Sequence, residues 1–92
     1  MDVDNVVRNI RTIYITISGK QDPDFMLIYR GTSGGITKPW KAMIDGREVN
    51  HETHDGALRE LLYSLKNELE SKVKSAEQEV SRLRTAFSQL GN

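Results

Sequence analysis

Residues 57–90 read ALRELLYSLKNELESKVKSAEQEVSRLRTAFSQL, a stretch with neither glycine nor proline. Alanine, leucine, glutamate, lysine, glutamine and arginine predominate, the residues that give up least on entering a helix. Thr53 or Asp55 supplies an N-cap, and Gly91 a stop after Leu90, so the pattern predicts one helix over residues 53–90. At about 1.5 Å per residue, residues 55–90 of that helix are roughly 54 Å long, more than twice the roughly 23 Å spanned by a strand of six or seven residues. It outruns any sheet this chain can build, and the fold turns on what its two halves cover.

The halves differ. Leu58, Leu62, Leu65 and Leu69 step by 4-3-4, with Leu61 widening the apolar face, as expected where a helix lies on a sheet. Val73, Ala76, Val80, Leu83, Phe87 and Leu90 then step by 3-4-3-4-3, the narrow seam of a coiled coil. The join from Leu69 to Val73 inserts an extra step of four, a stutter that straightens the supercoil. The first half is therefore expected to pack on a sheet, and the second to project and pair with another helix. A break near residues 71–75, folding the tail back as a hairpin, is the alternative. Glu68→Lys72 and Glu70→Lys74 are helix-supporting pairs four residues apart.

Upstream, Val3, Val6, Val7 and Ile10 form one stripe of a short amphipathic helix over about residues 3–10, capped by Asp2 or Asp4. In RTIYITIS (11–18), Ile13, Ile15 and Ile17 alternate with Tyr14, Thr16 and Ser18, which predicts a strand. FMLIYR (25–30) is apolar on both faces and is expected mid-sheet. In KPWKAMI (38–44), Trp40, Ala42 and Ile44 share one face, with Pro39 at the strand's start or on an edge. Asp45-Gly46 signals a type I′ hairpin into a short strand over about residues 47–50. The whole is an α+β domain: a short helix in residues 1–11, an antiparallel meander of three to four strands in 12–50, and the long helix.

Ninety-two residues make one small domain. Thirteen basic and thirteen acidic side chains cancel, which argues against duplex nucleic acid as a partner. There is no cysteine, so thiolate chemistry and disulfides are excluded and a cytoplasmic location fits. MDVDNVVRN does not read as a signal peptide, and no apolar run is long enough for a membrane span.

His51-Glu52-Thr53-His54 lacks zinc-protease spacing, since its histidines are three apart and no third His or any Cys exists. No metal site, catalytic site or cofactor is expected, and the chain reads as a non-enzyme. The carboxylate pairs Asp22/Asp24 and Asp45/Glu48 fall at turns that favour aspartate. One loop stands out, YRGTSGGITKPW (29–40). It matches neither a Walker A loop nor a dinucleotide fingerprint, because a strand follows it. From residue 25 to 47, Arg30, Lys38, Lys41 and Arg47 face only Asp45, a local charge of +3. The candidate ligand-binding residues are Arg30, Thr32, Ser33, Gly34, Lys38 and Trp40. Cations, hydroxyls and loop amides suit an anion, and Tyr29 and Trp40 a stacked base. A plain connector between strands accounts for the same composition.

FMLIYRG, WKAMIDG and HETHDGALRELL, in that order, resemble small bacteriophage-encoded proteins in which a compact sheet precedes a long helix. Thr53, Ala57, Leu58, Leu61 and Leu62 are similar to the helix entry of HicB-like antitoxin domains, though Asp55-Gly56 replaces their acidic pair. The resemblance implies small oligomeric, non-catalytic proteins such as anti-defence inhibitors or nucleotide-sequestering proteins. The expectation is a homo-oligomer built on the distal helix, holding an anionic ligand such as a signalling nucleotide or blocking a protein. An antitoxin or regulatory adaptor docking a protein partner is the alternative.

Overall fold

The computed structural model describes residues 2–91. Its elements are α1 (Val3–Ser18), β1 (Phe25–Tyr29), a 3-10 turn (Ser33–Gly35), β2 (Trp40–Ile44), β3 (Arg47–His51) and α2 (His54–Leu90). The α+β class and the long C-terminal helix are as the sequence predicts. The first strand is not.

RTIYITIS is helical. It continues the N-terminal helix to Ser18, where Gly19 closes it in the left-handed region and donates its N–H to the Ile15 carbonyl at 2.8 Å. The β-branched residues disfavour this locally. Against them, Ile10 and Tyr14 are buried, and Val6, Val7, Ile13 and Ile17 pack around the core. These residues extend the helical stripe already begun at Val3. Packing against α2 outweighs propensity, and two hydroxyls adapt: Thr16 Oγ1 donates to the Thr12 carbonyl and Ser18 Oγ to that of Tyr14. At the other end the Asp2 carboxylate accepts from the Asn5 N–H at 3.3 Å.

Losing that strand leaves the next one without a neighbour on one side. The sheet has three antiparallel strands in the order β1-β2-β3, so β1, expected mid-sheet, is an edge strand. Phe25 and Leu27 pair with Ile44 and Ala42 on the inner face. Met26 and Ile28 lie on the outer face and are exposed. That outer face also carries Met43, and it holds the Lys41–Glu48 ion pair at 3.1 Å. Pro39 directly precedes β2 and its carbonyl accepts from the Arg30 N–H at 2.8 Å, so it stands at the strand's start, where the N–H it lacks would have made only the last bond of the ladder. In the β2–β3 turn only Asp45 is held at a left-handed φ, 50°, so the turn departs from type I′.

One apolar core joins α1, the sheet and the first half of α2: Ile10, Tyr14, Ala42, Ile44, Ala57, Leu58, Leu61 and Leu65. Burying each of the larger aliphatic chains contributes about 1.5–3 kcal/mol before entropy. Around it, Arg47 bridges to Glu68 and sits over the Tyr14 ring at 5.7 Å. Glu68 therefore pairs across elements, not with Lys72, whereas the expected Glu70–Lys74 pair forms at 3.4 Å. Asp45 accepts from the Lys20 ammonium at 3.1 Å and the Asp24 N–H at 3.2 Å, tying the hairpin to the α1–β1 connection.

Beyond Leu69 the helix runs alone. Thr53 caps it through its Oγ1, which accepts from Gly56 N–H at 3.0 Å. No break occurs near residues 71–75, and every residue from 70 to 91 is exposed. The molecule is consequently long, 69 × 25 × 23 Å.

Candidate functional site

The loop from residue 30 to 39 is held by its own ends. The Arg30 guanidinium donates to the Lys38 carbonyl at 3.0 Å, so Arg30 serves as a clamp across the loop. Gly31, Gly34 and Gly35 take φ of 78°, 71° and 82°, a region that side chains disfavour. The chain path therefore demands the glycines whatever else the loop does. Thr32, Ser33 and Gly34 are exposed at its tip.

Lys38 and Trp40 point elsewhere. Trp40 is half-buried between Tyr29, at 4.9 Å between ring centroids, and His54, at 5.5 Å. This aromatic cluster joins β1, β2 and the first residue of α2. Lys38 lines a groove of ≈ 960 Å³ with His51, Thr53, Gly56, Arg59 and Tyr63. Of the six predicted ligand residues, Lys38 and Trp40 thus reach the start of α2, Arg30 closes the loop, and the other three stay at its tip.

The groove's other residues come from a stretch whose sequence reads only as a polar helix entry. Its floor is set by a close approach. A Cβ on Gly56 would stand 2.0 Å from His51 Nδ1 and 2.6 Å from its Cγ, so only glycine admits the His51 ring over the first turn. His51 Nδ1 also accepts from Thr53 N–H at 3.3 Å. Tyr63 carries a signal that the sequence does offer: it lies between Leu61 and Leu65 but off their stripe, and it is exposed.

Charge in the groove is mixed. Lys38 and Arg59 are set against Glu52, Asp55 and Glu60. The Lys38 ammonium makes no ion pair among the described residues. His54 Nε2 is 3.3 Å from the Asp55 carboxylate, and no three His, Asp or Glu side chains of the described residues converge as metal ligands would. Among the described residues, no helix is long and apolar enough to cross a membrane.

The second candidate surface is the distal half of α2. Val73, Val80, Leu83, Phe87 and Leu90 are exposed there, Phe87 to 78% and Leu90 to 86%, and Ala76 lies among them. All six project along one face, as the 3-4 spacing requires. No protein-family model matches this chain, and neither does any curated protein or solved structure.

Proposed function

We propose that this chain is a non-catalytic binding protein that self-associates through the distal half of α2 and presents its head, through the groove at the start of that helix, to a protein partner. The observation that carries the reading is the apolar stripe from Val73 to Leu90, exposed on a half of α2 that packs against no other element. An isolated helix of about twenty residues is marginal in water. Covering six apolar side chains is what would hold it, and large exposed apolar surfaces mark interaction sites. The mixed charge and exposed Tyr63 of the groove suit a polypeptide surface better than a dense anion. Such a protein acts by occupying a surface of its target, without turnover.

Sequestration of an anionic ligand is the second reading, favoured by the Lys38 ammonium, which makes no ion pair among the described residues and lines the groove together with Arg59. Native mass spectrometry of the protein purified from its host tests both. A multiple of the 10.5 kDa chain with a bound polypeptide supports the first, and added mass of a small anion, lost in Lys38→Ala, supports the second. A bare monomer overturns both.

A further inference from the structure

We infer that the self-association is antiparallel, with Val80 of each copy packed on Leu83 of the other. This rests on the reading of the distal stripe as a self-association surface. The inference comes from the bearing of that stripe. Ala76, Val80, Leu83 and Phe87 stand 18 positions after Leu58, Leu62, Leu65 and Leu69. At about 3.6 residues per turn, 18 positions close about five whole turns. Each of these four distal residues therefore looks in the direction of its proximal counterpart. The step of four from Leu69 to Val73 produces this: it rotates the seam back onto the line of the core.

The proximal direction is taken. Leu58, Leu61 and Leu65 are buried against α1 and the sheet, and Leu62 and Leu69 are half-buried. The head of each molecule thus hangs on the same side of α2 as its seam. In a parallel, in-register pair both heads would lie between the two helices at one level. The helices could then not approach to the roughly 8–10 Å that side-chain packing requires. An antiparallel pair has no such conflict. The partner helix starts below the head, runs along residues 73–90, and carries its own head beyond the tip. Centring the seam on itself sets Val73 against Leu90, Ala76 against Phe87 and Val80 against Leu83.

Charge fits this register. The residues that follow Ala76 and Leu83 on the flank are Glu77 and Arg84, and antiparallel pairing sets Glu77 of one copy beside Arg84 of the other, twice by symmetry. Neither side chain has an ion pair within its own chain among the described residues. On the opposite flank Glu79 meets Ala86, so no like charges face each other. Parallel pairing would also join unlike charges, Lys72 to Glu77 and Glu79 to Arg84. The head, and not the charge pattern, excludes it.

Because the chain has no cysteine, disulfide trapping is clean. Ala76→Cys and Phe87→Cys are made separately in the full chain, oxidised alone and as a mixture, and run without reductant, with sedimentation equilibrium on the same samples. The antiparallel register places position 76 of one copy beside position 87 of the other, so the two introduced thiols meet only between unlike variants. It separates like positions by about 16 Å along the axis, beyond the roughly 7 Å that a disulfide tolerates. The expected result is a cross-linked dimer in the mixture and none in either variant alone. Cross-linking of each variant alone would overturn the antiparallel register while leaving self-association standing. No cross-link in any sample also overturns it; if the sedimenting mass is then that of a monomer, self-association falls with it.

Discussion

Gly56→Ala should destabilise the head, although alanine is the better helix former. In an unobstructed helix the exchange gains about 0.5–1 kcal/mol. Here the new Cβ meets the His51 ring at 2.0 Å from Nδ1, 2.1 Å from Cε1 and 2.6 Å from Cγ. Contact with Cγ, the root of the ring, means that no rotation about the ring bond relieves it, and the side chain must change rotamer. That forfeits the Nδ1 contact with Thr53 N–H, about 1 kcal/mol, and adds an overpacking cost of about 1–3 kcal/mol. The net expectation is a loss of about 1–3.5 kcal/mol. In a His51→Ala background the obstruction is gone, and Gly56→Ala should stabilise by about 0.5–1 kcal/mol. The coupling between the two sites is then about 2–4 kcal/mol, where independent sites would show none. Urea unfolding of the four proteins, at one protein concentration because association shifts apparent stability, measures it through Trp40, the chain's single tryptophan, beside His54. A Gly56→Ala that stabilises the wild type, or a coupling near zero, would refute this account of the groove's floor.

Leu65 and Leu83 share a bearing on α2 but are 1% and 57% exposed. Leu65→Ala should cost about 2–5 kcal/mol in urea unfolding, and Leu83→Ala should weaken association while leaving the head's intrinsic stability within about 0.5 kcal/mol. Asp45 gives a pH dependence: partial burial pushes its carboxyl up, but hydrogen bonds from Lys20, Tyr14 and the Asp24 amide outweigh this and hold it below its usual 3.8, while the Asp45 hydrogen bond raises Lys20 above 10.5. Its stabilisation is therefore present above pH 3.8, is lost as pH falls through the lowered value, and fades again as pH rises through the raised lysine value. Stability-versus-pH curves of wild type and Asp45→Asn should differ most between these limits and converge in acid. Removing the Arg30 clamp with Arg30→Ala should loosen the loop, seen as faster amide exchange at residues 31–37, with less than about 1 kcal/mol change in global stability.

The long helix was readable because nothing in residues 57–90 competes with it: no breaker, strong propensity, a cap at Thr53 and a stop at Gly91. The stutter gave away the boundary between its covered and uncovered halves, which the structure places just after Leu69. RTIYITIS misled because two periods fit it. Ile13, Ile15 and Ile17 alternate, yet Ile10, Ile13, Tyr14 and Ile17 trace a helical stripe, and only α2 behind that stripe decides between them. Gly19 carried the missing hint, since a glycine closing a helix explains it as well as a turn does. With that strand gone, β1 had to become an edge, and its second apolar face an open one. In the candidate site, the cations and aromatics of residues 29–40 were legible. Their grouping with His51, Arg59 and Tyr63 was not, because it depends on β3 returning the chain to the start of β2, where His51 pairs with Trp40 and α2 begins.

The most direct test of the account is the mass of the full chain in solution. Sedimentation equilibrium of wild type across micromolar concentrations should give a species at least twice the 10.5 kDa chain. Leu83→Asp should give the single-chain mass with a head that still unfolds cooperatively in urea. A wild-type protein that stays at the mass of one chain throughout would contradict the claim that the distal half of α2 exists to be covered by another copy.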